Sequence, residues 1–163
     1  EAYLAGIIPI NFMVAFLLYI HAKVTKTFHT FAPLMQLNVM DEHHCLLCMG
    51  SNTNRHAQLS VAREALRATF PDIHFGEMME TEAVGSGFHS PFSNQLAKFS
   101  TTLSPDSVRD LFKELERRSG RIPEDKAQGV VKLDIDLLVF DNKILKPEDM
   151  EREYIRRGMS VLF

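Results

Sequence analysis

Residues 130–140, VVKLDIDLLVF, constrain this chain more than any other stretch. They are aliphatic, partly β-branched, and free of glycine and proline, which predicts a strand. Side chains on a strand alternate between faces. Lys132, Asp134, Asp136 and Leu138 then share one face, and Leu133, Ile135, Leu137 and Val139 point into the core. Aspartate has a low β-propensity, so two in a strong strand ask for a reason. Two residues apart on one face, the carboxylates stand about 6.5–7 Å from each other. That spacing suits one or two hard cations shared with a triphosphate, because Mg²⁺ prefers a few carboxylates plus phosphate oxygens to an all-protein cage. A solvated strand face would show the same pattern.

The segments before this strand set the fold class. CLLCM (45–49) is a short apolar run that stops at Gly50-Ser51-Asn52, as a buried strand ending in a turn would. Leu59, Ala62, Leu66 and Phe70 recur at helical spacing, with Pro71 beyond. Residues 73–83 alternate, with Ile73, Phe75 and Met79 on one face, His74, Glu80 and Glu82 on the other, and Glu77 an exception. Residues 84–91 are a loop by their glycine, serine and proline content, and 92–101 read as a strand. Ser104-Pro105-Asp106 predicts a helix start, with Val108, Leu111, Phe112 and Leu115 as its buried stripe and Gly120 as its stop.

Residues 121–129, RIPEDKAQG, read as a flexible charged loop. After the aspartate-bearing strand, Asp141-Asn142-Lys143 makes a turn and Ile144-Leu145 pairs back. Pro147 opens a last helix that runs through Arg157 and stops at Gly158. The order β-α-β-β-α-β, with a short strand and a helix appended, predicts an α+β ferredoxin-like sandwich. In it an antiparallel sheet has helices packed on one face.

The chain has 163 residues, 45% of them hydrophobic, which suits one compact domain. Its net charge of −3 argues against general nucleic-acid binding, which wants a basic face. Two cysteines make no disulfide framework, so a reducing compartment and a cytoplasmic location are expected. Cys45 and Cys48 fall on opposite faces of one strand and read as buried small hydrophobes rather than zinc ligands beside His43 and His44. Residues 2–20 carry no charge and reach the length of a membrane span. Residues 1–39 can therefore be sequence upstream of a start at Met40, a membrane anchor, or an extra core helix. The soluble domain is expected over 40–163, with a membrane as partner only if 2–20 is an anchor, and as a monomer.

Arg121, placed after a helix and before the charged loop, can supply a cation to phosphates, although an arginine at a helix end also complements the dipole. Gly50-Ser51-Asn52 can present backbone N–H groups to a ligand, but it lacks the P-loop pattern and reads more simply as a turn.

Taken in order, the segments CLLCMGSN, METEAVG, PFSNQLAKF, TTLSPDSVRDLFKELERRSGR and KLDIDLLVFDNKIL resemble the 6-hydroxymethyl-7,8-dihydropterin pyrophosphokinase family. The resemblance runs from about 45 to 158. It implies transfer of diphosphate from ATP to a hydroxymethyl-dihydropterin in folate biosynthesis, with two Mg²⁺ and release of AMP. It implies metal binding by Asp134 and Asp136, which with Arg121 make up the catalytic set. ATP contacts fall to Glu116, Arg121 and Lys126, and pterin contacts to Thr81, Val84, Phe92, Asn94 and Arg157. The 121–129 segment is the implied lid. The chain departs from the family pattern where further lid arginines, a tryptophan and a Pro-His pair are usual. Met150 and Glu151 align with the Pro-His pair, and Met159 with the stacking aromatic. A slow or non-catalytic paralogue that binds nucleotide or pterin is the alternative.

Overall fold

The computed structural model describes residues 41–83, 87 and 90–163. The readings of residues 1–39 and of Val84 lie outside these. At the centre is β1 (His43–Ser51), paired antiparallel with β3 (Phe92–Thr101) on one side and β4 (Asp134–Phe140) on the other. β2 (His74–Thr81) pairs with β3 and the short β5 (Lys143–Ile144) with β4. The five-stranded antiparallel sheet therefore runs β2-β3-β1-β4-β5. The expected α+β architecture, an antiparallel sheet with helices packed on it, is what the structure shows.

Every residue of β1 from Cys45 to Ser51 is buried. A strand with one solvated face would alternate, so an unbroken run means that both faces are covered. On one face lie α1 (Arg55–Thr69) and α2 (Pro105–Arg118). Phe99 of β3 sits there between Phe70 and Phe112, with ring centroids 4.3 and 6.3 Å away. On the other face Ile155 of α5 (Glu153–Leu162) packs with Leu46, Cys48, Leu96 and Leu138. The helices thus occupy both faces, not one. Cys45 and Cys48 are both buried, and burial pushes each thiol up to about 12, so both behave as small hydrophobes. Asp141, at φ 52°, ties the sheet end together by accepting from the His44 N–H at 2.9 Å and contacting the His43 ring at 2.8 Å.

The start of α2 follows the expected chemistry. Ser104 accepts from the Ser107 N–H, Pro105 opens the first turn, and Gly120 takes φ 84° beyond the C-terminus.

Four departures from the sequence reading have physical causes. In β2, Phe75 pairs with Ala97 and Met78 with Gln95, so the strand carries one extra residue at Gly76-Glu77. The bulge leaves Glu77 exposed. It also puts Phe75 and Met79 on opposite faces, Phe75 under Arg67 of α1 and Met79 towards α5. In β4 a second bulge leaves Leu138 between the Leu137 and Val139 pairings. Leu138 is buried, and Val139 turns to the face of Leu46 instead of sharing that of Leu137.

The expected flexible loop 121–129 contains a short helix, α3 (Pro123–Ala127). Its Asp125 is buried, accepts from the Ile122 N–H at 2.9 Å, and meets Lys132 Nζ at 3.2 Å. Asn52 pins the far end, donating to the Gly129 carbonyl at 2.7 Å and accepting from the Val131 N–H. The Asn52 N–H is itself taken by the Val131 carbonyl, so this turn serves as a clamp. Finally, the expected single last helix is two, α4 (Pro147–Met150) and α5. Gly158 does not stop a helix but lies within α5, where a Cβ would fall 2.7 Å from Leu96 Cδ1. Its missing side chain lets α5 approach the sheet.

Candidate active site

Gly50 pairs with Asn94 on one side and with Asp134 on the other. Paired residues of antiparallel strands point to the same face. Asn94, Gly50 and Asp134 thus form one row across β3, β1 and β4, and Leu96, Cys48 and Asp136 form the next. Strands lie about 4.8 Å apart, which sets Asn94 and Asp134 about 10 Å from each other. A cleft of about 280 Å³ opens over these rows on the face shared with α5. Thr81, Phe92 and Asn94 line one end of it, and Asp134, Asp136 and Arg121 the other. The Asn94 amide donates to Thr81 Oγ1 at 2.8 Å, which orients its side chain.

The acidic end is neutralised pair by pair. Arg121 Nη1 lies 2.7 Å from Asp134 Oδ1, and Lys146 Nζ lies 3.0 Å from Asp136 Oδ1. Arg121 is braced from behind by Glu116 Oε2 at 2.9 Å. Partial burial works against the Arg121 charge, but Asp134 and Glu116 outweigh it and hold the guanidinium above its ordinary value. The hydrogen bond to Asp136 raises Lys146 as well, against a smaller opposing effect of burial. Glu116 is buried, and its other oxygen accepts from the Ile135 N–H at 2.9 Å. One carboxylate therefore fixes both Arg121 and the strand that carries the aspartates.

The donor set fits a hard divalent cation. Asp134 and Asp136 offer only oxygen, share one face, and are 40% and 30% exposed, so a hydrated ion can reach them. Among the described residues no group of three or more His, Cys, Asp or Glu side chains is arranged around a metal position. Further ligands would have to be phosphate oxygens or water, the usual arrangement for Mg²⁺.

Of the residues expected from sequence, Thr81, Phe92, Asn94, Arg121, Asp134 and Asp136 come together in this one cleft. Glu116 stands behind it as a brace, and Lys126 falls in α3. Arg157 is exposed on α5 and is not among the cleft residues, and Met159 packs against the Leu46–Ile155 cluster instead.

The residues that do reach the cleft from this end are Asp149, Arg152 and Tyr154. Arg152 Nε contacts Asp149 Oδ1 at 2.9 Å, and the Tyr154 hydroxyl hydrogen-bonds with the Cys48 thiol. Burial raises the Tyr154 phenol above its ordinary value. Sequence reasoning missed these three because it drew one helix from 147 to 157. The break before Glu153 leaves Arg152 as the N-cap of α5 at the cleft and resets the helical phase, so Tyr154 is half-buried in the cleft wall and Arg157 is exposed away from it. The run Arg152-Glu153-Tyr154, an aromatic between charged residues, was the only signal that the sequence offered.

The model of one protein family, 7,8-dihydro-6-hydroxymethylpterin-pyrophosphokinase, matches residues 46–162. The chain belongs to this family. The match runs from β1 to α5 and takes in every cleft residue named above. The family is one of pyrophosphokinases, kinase-type transferases of folate biosynthesis. No curated protein matches the chain. Among the described residues no helix is long and apolar enough to cross a membrane.

Proposed function

We propose that this chain transfers diphosphate from ATP to 6-hydroxymethyl-7,8-dihydropterin, releasing AMP. The observation that carries the reading is the Asn94–Gly50–Asp134 row, which sets an amide edge and a carboxylate pair on one floor about 10 Å apart. A flat heterocycle fits the Asn94 end. There Asn94 and Thr81 offer hydrogen-bonding edges, and Phe92 and Tyr154 bring aromatic surface to the same cleft. The triphosphate fits the Asp134 end, where Arg121 and Arg152 supply positive charge.

The pterin hydroxymethyl oxygen attacks the β-phosphorus in line. A bond forms between that oxygen and phosphorus, the bond from the β-phosphorus to the α,β-bridging oxygen breaks, AMP leaves with the electron pair, and the hydroxyl proton is released to solvent. Two Mg²⁺ ions held by Asp134 and Asp136 would neutralise the oxygens around the phosphorus under attack. Arg121 holds charge against the phosphates, and its brace by Glu116 means that it need not reorganise during the reaction. The loop and α3 over 121–129 shield this end from water, a competing nucleophile.

AMP formation from ATP and Mg²⁺, with and without the pterin, tests this reading on the full chain. Pterin-dependent AMP together with the pterin diphosphate is expected. Binding of either substrate without AMP would instead establish a binding paralogue, and neither binding nor turnover would refute the assignment.

Gly50 gives a second test. A Cβ at this position would lie 2.4 Å from Asn94 Oδ1, which forces the amide out of its place. Gly50→Ala is expected to raise KM for the pterin about a hundredfold, from the lost hydrogen bonds to its edge, with KM for ATP changed by less than about threefold. Equal rises in both constants would mean that Asn94 does not hold the pterin.

A further inference from the structure

Each carboxylate at the acidic end of the cleft carries one cation: Asp134 has Arg121, Asp136 has Lys146, and Asp149 has Arg152. The three pairs differ in how firmly the cation is held. Arg121 is fixed by Glu116 as well as by Asp134, and its partner Glu116 is buried. Lys146 has Asp136 as its ion-pair partner, is 47% exposed, and sits on a flexible four-carbon stem just before α4. Asp149 and Asp134 also lie close enough to act on its charge. A divalent ion arriving at Asp136 meets this ammonium at hydrogen-bond distance, and like charges that close repel.

We infer that Lys146 occupies the Asp136 carboxylate until nucleotide arrives and then passes to the nucleotide phosphates, so that metal and nucleotide bind cooperatively. The inference rests on the reading of Asp136 as a metal ligand in a nucleotide site. Without phosphates, a cation at Asp136 must displace Lys146 into water. With phosphates present, the displaced ammonium finds a new negative partner, and the carboxylate is left to the metal. Each ligand therefore favours the other, and by reciprocity the coupling has the same size in both directions. Arg121, braced on two sides, does not make this exchange.

The experiment measures Mn²⁺ binding to the full chain with and without α,β-methylene ATP, for the wild type, Lys146→Met and Lys146→Arg. Because the Lys146–Asp136 pair is partly exposed, each effect is a modest fold-change. Lys146→Met is expected to bind Mn²⁺ alone about fivefold more tightly and the Mn²⁺–analogue complex about fivefold more weakly, in opposite directions. Lys146→Arg should stay near the wild type on both. If Lys146→Met changes neither constant, or weakens both, the exchange is overturned. An arginine variant that behaves like the methionine one would overturn it too, since charge would not be the cause. A wild type that binds neither Mn²⁺ nor the analogue would instead sink the nucleotide-site reading, and the exchange with it.

Discussion

Asp134→Ala and Asp136→Ala are each expected to lower pterin-dependent AMP formation by about a thousandfold or more, while leaving unfolding free energy within about 1 kcal/mol of the wild type. The two halves of this expectation have separate grounds. Phosphoryl chemistry depends on positioned positive charge around phosphorus, and the carboxylates are the groups on this floor able to hold a hard cation. Their fold contribution is small, because both side chains are part-exposed and ion pairs of that kind are worth about 0–1 kcal/mol. Steady-state AMP release and urea denaturation of the same preparations check both halves. Wild-type turnover in both variants would remove the metal from these residues. A collapse of stability would mean that the aspartates hold the sheet together instead.

Glu116→Ala is expected to do the reverse: to cost about 3 kcal/mol of stability in denaturant unfolding with an unchanged m-value, and to lower kcat as a consequence. Its carboxylate is buried and accepts from the Ile135 N–H, from Arg121 at 2.9 Å and from Lys113 at 2.7 Å. Removing it leaves a buried backbone donor without its acceptor and a void at the α2–β4 contact. Arg121 and Lys113 stay partly solvated, which keeps the loss below the upper range for a broken buried pair. Arg121 would also lose one of the two carboxylates that aim it. A loss under about 1 kcal/mol would mean that water replaces the carboxylate and that the brace has no energetic weight. A nucleotide contact for Glu116 in place of this bracing role would show as a large rise in KM for ATP without the stability loss.

The sequence by itself determined the strands and the first two helices and their order, but not the short helix at Pro123–Ala127 or the split of the last helix. Apolar spacing and capping residues are local, so β3 over Phe92–Thr101 and the Ser104 cap of α2 were legible without any partner in view. The paired aspartates of β4 were legible for the same reason: two carboxylates with low strand propensity inside a strong strand stand out in one dimension. Arg121 was legible from its place between a helix end and a charged segment, the resemblance added Asn94 and Thr81, and the strand order brings all of them over one cleft.

What only the tertiary structure decided was phase and adjacency. The bulges in β2 and β4 each shift a strand by one residue, which moves Phe75 and Val139 to faces that strict alternation denies them. The break between α4 and α5 brings Arg152 and Tyr154 to the cleft and leaves Arg157 outside it. Gly50 acquires its meaning from Asn94, forty-four positions later in the chain, because the β1–β3 register places the Asn94 oxygen where a Cβ would go. Lys146 acquires its meaning from Asp136 in the same way, since the turn at Asp141 folds the chain back and brings an ammonium to a carboxylate. A periodic pattern specifies which side of its own element a residue occupies. It does not specify an extra residue in a ladder, a break in a helix, or which distant side chain shares the space above a strand, because those are set by packing between elements.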